Sequence, residues 1–401
     1  MSNKNMYWQV LILASAQAIF QTVSVLVMTI GGLAGGLLAP SPGLATAPIA
    51  AMFLGTASAT FPASMWMSRV GRKIGFCTGA AAGIAGGAIA GAGIITSSFI
   101  LLCIGTFMVG VYQSFAQFYR FAASEVASDT FRPRAISLVM AGGIVAALAG
   151  PLLARLGSDI LIPRYLGSFI ILAAISAVAV FILSRLSVPA SVEAAVDQVP
   201  ARSWKRVITQ PAYLTALFGA ATGYGIMILA MTATPLAMSH HAHSLSETSM
   251  VIQLHVLGMF LPSFFTGKLI SRFGSIRIML AGILLYGCHI ALALTGTGFS
   301  SFAGALIFVG LGWNFLYIGG TALVTTTFRP SEKGMAQAVN DMTIFAVGLA
   351  CSLSAGALLE QLGWEKLNEM LLPWLAVAAA ALIWQAIRNQ YAVDKSERVS
   401  D

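Results

Sequence analysis

Carboxylates are sparse in this chain. Its 401 residues include 14 acidic ones against 22 lysines and arginines, and charged side chains total 9%, where an average soluble domain carries about 25%. With 58% apolar residues and a mean hydropathy of +0.85, no water-soluble fold could hide the apolar surface. Cysteine is equally limited. Cys77, Cys103, Cys288 and Cys351 all fall within apolar runs without C-x-x-C spacing, which excludes a disulfide framework and makes small buried hydrophobes the expectation. There is no H-E-x-x-H, no Gly-rich phosphate loop and no nucleophile–base pair, so an enzyme is not expected. The net charge of +8 comes from basic residues dispersed between apolar runs, which argues against nucleic acid as a partner and for a lipid bilayer. The first apolar run, from about Trp8, carries Gln17 and Gln21 and meets no small-residue cleavage site, so it reads as a retained helix.

What is present is a series of runs long enough to cross a membrane. A spanning helix needs about 20 mostly apolar residues, and such runs begin near Trp8, Leu44, Ile74, Phe99, Ile136, Tyr165, Pro211, Glu247, Ile276, Ser300, Ala336 and Leu371. Twelve is even, so both ends share a side. Alternate loops collect Lys4, Arg69, Arg72, Lys73, Arg132, Arg134, Arg202, Lys205, Arg206, Arg272, Arg277, Arg329 and Lys333, with Arg388, Lys395 and Arg398 beyond the last run. The other loops hold only Arg155, Arg164 and Lys366. Basic residues are retained on the cytoplasmic side, so both termini are predicted to be cytoplasmic. Residues 187–208, with Pro189 and Pro200, form the longest polar stretch, a linker between six-helix halves at 1–186 and 209–390. Residues 391–401 read as a cytoplasmic tail.

The halves repeat. Ser64-x-x-x-Ser68-Arg69-Val70-Gly71-Arg72-Lys73 follows span two, and Gly267-x-x-x-Ser271-Arg272-Phe273-Gly274 follows span eight, 203 positions later. Thr130-Phe131-Arg132-Pro133 recurs unchanged as Thr327-Phe328-Arg329-Pro330, 197 positions later and in the corresponding loop. Parallel six-span repeats and this loop pattern resemble major facilitator transporters, whose loop usually reads Gly-x-x-x-Asp-Arg-x-Gly-Arg-Arg/Lys. The expected fold is therefore all-α, twelve transmembrane helices in two parallel-repeat halves, with Arg69, Gly71, Arg72, Lys73, Arg272 and Gly274 as the cytoplasmic gate. Ser68 and Ser271 replace the usual acidic residue. A Gly150-Pro151 pair preceded by Gly142 and Gly143 fits close packing or a bend in span five.

The resemblance implies that spans one, four, seven and ten line a central cavity. Gln17, Gln21, Gln113, Gln117 and Asn314 are candidate lining residues, either touching solute or bonding between helices, with Arg120, Trp313, Tyr112 and Tyr119 beside them. Spans seven and eight carry Met227-x-x-x-Met231 and His255-x-x-x-Met259, each pair on one helical face and about 6 Å apart along the axis. In an antiparallel hairpin, residues with equal index sums lie at equal depth, which would bring Met227 to Met259 and Met231 to His255. Three thioethers and an imidazole suit Cu(I), as carboxylates would suit harder ions. This motif resembles that of CcoA-like copper importers, a bacterial branch of the major facilitator superfamily. The resemblance implies copper uptake across the bacterial inner membrane to supply assembly of cbb3-type cytochrome c oxidase, with copper as cargo and no permanent cofactor. A cytoplasmic acceptor protein for copper and a monomeric carrier are further expectations.

His240, His241 and His243, between spans seven and eight, are candidates for metal capture, with Met238 as an intermediate ligand; the alternative is a polar loop with incidental histidines. Asp341 is a candidate coupling residue, or a partner of Arg69 or Arg120 in a closed gate. His289 reads as hydrogen-bonded packing, and Glu125 and Asp129 as solvated. The alternative cargo is an organic solute such as riboflavin or a drug-like cation, stacked and hydrogen-bonded by Tyr112, Gln113, Gln117, Tyr119, Trp313 and Asn314.

Overall fold

The computed structural model describes residues 3–128, 131–187, 202–329 and 332–400. Residues 188–201 of the linker, Asp129, Thr130 and Pro330 lie outside the described residues, as do the side chains of Lys4, Arg132, Pro133, Arg134, Lys333 and the 391–401 tail. The amino-terminal half consists of α1 (Asn3–Leu38), α2 (Ala47–Ile95), α3 (Phe99–Ala116), α4 (Tyr119–Val126), α5 (Arg132–Met140), α6 (Gly142–Ser158) and α7 (Leu166–Leu183). A short α8 (Trp204–Ile208) leads into the second half. There follow α9 (Pro211–His240), α10 (Leu245–Phe260), α11 (Ser263–Phe273), α12 (Ser275–Ala293), α13 (Phe299–Thr325), α14 (Lys333–Glu369) and α15 (Leu371–Ser400).

Among the described residues ten helices, or eleven with the bent pair α10 and α11 counted as one span, are long and apolar enough to cross a membrane. The twelfth is contained in α2. Its 49 residues would reach about 74 Å against a hydrocarbon core of about 30 Å, and its helix is interrupted at Gly71 (φ 83°, ψ 164°). Spans two and three are the two sides of that break. Gly274, between α11 and α12, adopts the same conformation (φ 82°, ψ 152°) 203 positions later, so the repeat read from sequence is a repeat of backbone geometry.

An added Cβ would touch nothing at either glycine, so backbone conformation alone selects glycine there. That region is essentially restricted to glycine and costs other residues about 1–3 kcal/mol. Gly71→Ala and Gly274→Ala should each lower the melting temperature in detergent, while Gly287→Ala, equally open but helical, should not. Equal stability of all three variants would show that the two breaks are unstrained.

The halves meet through α1 with α9, α2 with α14, and α6 with α10. Gly142 and Gly143 allow close approach in span five: a Cβ on Gly143 would stand 2.7 Å from the Phe260 ring, and one on Gly142 would stand 2.8 Å from the Ala18 nitrogen. The hydrogen bonds that join described residues across the halves lie on the face opposite the termini or at mid-span. Thr46 Oγ1 donates to the Ser352 carbonyl at 2.8 Å, Arg155 to Ser246 Oγ at 2.7 Å, and Gln253 to the Leu148 carbonyl at 3.1 Å. The halves are sealed together on that face.

Two expectations need correction. Spans seven and eight hardly touch, because α13 takes the place beside both. Glycines on α13 admit each of them: a Cβ on Gly310 would stand 2.8 Å from Met259 nitrogen, and one on Gly320 would stand 2.9 Å from the Ala216 carbonyl. The cysteines are not uniformly buried either. Only Cys351 is; Cys77 and Cys103 are half-buried and Cys288 is exposed, where an apolar environment makes burial in protein unnecessary.

Candidate functional site

Between the halves lies a partly open cavity. Three kinds of side chain form its wall. Gln17 and Gln21 from α1 and Gln113 and Gln117 from the end of α3 contribute amides. Phe20, Phe53, Tyr224, Phe260, Trp313, Tyr317 and Phe345 contribute rings, and Met28, Met140, Met227, Met231 and Met259 contribute thioethers. Arg120 is the one cation among the described lining residues.

The rings are continuous. Trp313 and Tyr317, one turn apart on α13, stack with centroids 5.0 Å apart and planes 11° apart. Phe260 packs on Trp313 at 5.9 Å, Tyr224 on Tyr317 at 5.9 Å, and Phe345 and Phe53 on Tyr224 at 6.0 and 6.3 Å. Such a wall offers flat apolar area for a planar ring. Three buried polar atoms of the lining have no partner: Gln113 Oε1, an acceptor, and Arg120 Nε and Trp313 Nε1, both donors. A buried group left unbonded costs about 1–3 kcal/mol, so these atoms are poised for a ligand that bonds them.

The wall holds three of the four expected metal ligands. Met227, Met231 and Met259 face the cavity, whereas His255 is absent from its lining and bonds through Nδ1 to the Leu306 carbonyl at 2.8 Å. Asn314 needs correction as a lining residue. It is fully buried, donates to the Met259 carbonyl and Ser263 Oγ, both at 2.7 Å, and accepts from Thr266 Oγ1 at 2.6 Å. Asn314 thus takes up the Met259 carbonyl beside the break between α10 and α11. Tyr112 and Tyr119 are also absent from the lining: Tyr112 packs behind the lining residue Phe20, with centroids 5.5 Å apart, and Tyr119 against Phe76 at 4.8 Å. Sequence reasoning missed Phe53, Tyr224, Phe260, Tyr317 and Phe345. The i, i+4 spacing of Trp313 and Tyr317 was the available signal.

Around the termini-side rim, Arg72 donates to Glu125 through Nη2 at 2.7 Å and Nε at 3.2 Å, so Glu125 is paired rather than merely solvated. Arg69, Lys73 and Arg272 form no ion pair among the described residues. Ser68 and Ser271 donate to Met65 and Lys268 carbonyls three residues back, so neither takes up an acidic residue's role. Asp341 accepts from Asn340 at 3.0 Å and feels the charge of Arg120 across the halves without an ion-pair contact. On the opposite face His240 and His241 are exposed and Met238 is buried. His243 bonds the Thr297 carbonyl at 2.8 Å through Nε2 and lies 3.6 Å from Glu247 through Nδ1, so both its nitrogens are engaged.

A second clamp ties the end of the linker to the loop before α14. Arg202 donates to both oxygens of Glu332, at 2.8 and 2.7 Å, and Arg329 donates its backbone N–H at 2.9 Å. Arg202, first, and these backbone donors hold the Glu332 carboxyl well below the usual carboxylate range. A depressed folded-state value gives stability that is present above the unfolded value, about 4.3, and is lost as pH falls through the folded one. Glu332→Gln should therefore lower the melting temperature at pH 7 and flatten the decline below about pH 4. An unchanged pH profile would remove the clamp from the stability account.

Two six-span halves closed around a central cavity, joined by hydrogen bonds away from the termini, define a membrane solute carrier. The chain belongs to the major facilitator superfamily, matching the Major Facilitator Superfamily pattern over residues 10–236 and 216–398. It is 40% identical over 378 residues to the riboflavin transporter RfnT of Brucella anthropi, covering 93% of this chain and 94% of that one. The uncharacterized MFS-type transporter YdeG of Bacillus subtilis is 29% identical over 378 residues, 88% of this chain and 86% of that one. Crystal structures of the nucleoside transporter NupG share the fold. A mutant form aligns with a TM-score of 0.72 at 16% identity over 94% of this chain and 99% of that one, and a second structure with 0.67 at 18% over 94% and 98%.

Proposed function

We propose that this carrier moves a planar, amide-edged heteroaromatic solute of the riboflavin class by alternating access. The observation that carries the reading is the cavity wall itself: a continuous aromatic surface faced by four glutamines, with one acceptor and two donors left unbonded. A flavin ring system supplies the matching chemistry, an extended π face and a pyrimidine edge on which carbonyl and N–H groups alternate. The riboflavin transporter among its relatives, similar over nearly the full length of both chains, supports the same cargo. With the termini cytoplasmic, as the loop charges indicate, the seal lies on the outer face and inward release is the next step of an import cycle. Quenching of riboflavin fluorescence by the purified protein tests the reading; saturable quenching is expected, and none up to millimolar protein-accessible flavin would refute it.

Copper is the second reading, and the five thioethers of the cavity lining, three of them Met227, Met231 and Met259, favour it. Under it, Met227→Leu, Met231→Leu, Met259→Leu cells would accumulate less copper at limiting supply while flavin binding stayed intact. Unchanged copper content would remove this reading.

A further inference from the structure

The two walls of the cavity are chemically unequal. Span ten lines it with Trp313 and Tyr317, one turn apart, and span four, at the positions 197 residues earlier, lines it with Ala116 and Arg120. The carboxy-terminal wall is therefore aromatic where the amino-terminal wall is small and then cationic. Arg120 lies within a membrane span, at Phe99–Ala123, and no acidic residue stands among the described lining residues.

Nothing in the protein takes up the Arg120 charge directly. Its guanidinium forms no hydrogen bond and no ion pair among the described residues, and its Nε is buried. The guanidinium carbon stands 4.9 Å from the centre of the Phe121 ring, a cation–π contact that uses none of the N–H groups. Glu125, on the same helix, is bonded to Arg72. Asp341, one turn before the lining residue Phe345, accepts from Asn340 and is not in ion-pair contact with Arg120.

A charge at membrane depth without a counter-charge is costly, and charges so placed mark solute paths. A neutral ring entering the cavity would cover Arg120 further and leave that cost standing. An anionic arm on the ring would remove it, because guanidinium meets phosphate through short charge-assisted hydrogen bonds, often two in parallel.

We infer that Arg120 is an anion subsite. The preferred solute is a planar heteroaromatic ring that lies on the Trp313 and Tyr317 wall and carries a phosphate ester that reaches Arg120 across the cavity. The inference rests on the flavin reading and narrows it: flavin mononucleotide, the phosphate ester of riboflavin, is a better ligand than riboflavin itself.

The test titrates riboflavin and flavin mononucleotide side by side against the full chain in detergent at low salt, with quenching of flavin fluorescence as the readout. Flavin mononucleotide is expected to bind roughly 10- to 150-fold tighter, the worth of a hydrogen bond to a charged group. The preference should shrink as salt is raised. In Arg120→Gln the ratio of the two affinities should fall to about one, whereas Arg120→Lys, which keeps the charge and loses the planar fork, should retain part of it. Size-exclusion profile and melting temperature report folding; if Arg120→Gln fails to fold, the Arg120→Lys ratio and the salt dependence of the native ratio decide. Riboflavin bound by the native protein as tightly as its phosphate overturns the subsite and leaves the flavin reading standing. A preference that survives unchanged in Arg120→Gln also overturns it. Quenching of neither compound removes the flavin reading and the subsite together.

Discussion

Oxidation of a Gly43→Cys, Ala357→Cys pair is expected to stop transport, and reduction to restore it. A Cβ built on Gly43 stands 3.5 Å from the Ala357 Cβ, within the separation a disulfide spans, and the two residues belong to opposite halves on the sealed face. Alternating access requires that face to part once per cycle, so a covalent bond across it holds the carrier in one state. Thr46, bonded to the Ser352 carbonyl and within 3.3 Å of the Gly356 nitrogen, shows how closely the span one–two connection already grips span eleven. A Cys351→Ala background removes the nearby native thiol. Loss of uptake to background is expected in the oxidised protein alone; full uptake with the bond formed, verified by mass, would mean that this face does not open.

The second large effect concerns Trp313. Its ring stacks on Tyr317 and its Nε1 is buried without a partner in the cavity lining, so it offers a solute both a π face and a donor. Stacking of a base on an aromatic side chain is worth about 1–3 kcal/mol and a hydrogen bond about 0.5–1.5 kcal/mol. Trp313→Ala should therefore weaken flavin binding by roughly 10- to 2,000-fold. Trp313→Phe, which keeps a ring and loses the donor, should fall between that variant and the native protein. If both bind flavin as tightly as native protein, the aromatic wall is packing rather than a recognition surface.

Much of the architecture was legible because it is written in local chemistry. Apolar run length marks spans, and the glycines of the two matching loops occupy a backbone region that other residues avoid; Gly71 and Gly274 duly share one conformation. The site was less legible because facing depends on tertiary packing. Equal index sums locate depth only for helices that pack on each other, and α13 separates α9 from α10 through Gly310 and Gly320. His255 and Met259 share a helical face, yet one turn is enough for Met259 to reach the cavity while His255 bonds α13. Asn314 follows Trp313 directly, and the turn of about 100° per residue sends one to the cavity and the other to the broken helix beside it. The aromatic wall was underread because phenylalanine and tyrosine in apolar spans carry no periodicity that separates cavity from core.

The reading of cargo is tested most directly by uptake into liposomes that contain only the purified protein, with riboflavin and copper offered separately and together. Saturable riboflavin accumulation that is lost in Trp313→Ala and survives replacement of Met227, Met231 and Met259 by leucine is the predicted result. Copper accumulation that those three replacements abolish, with no riboflavin entering the native vesicles, would contradict it.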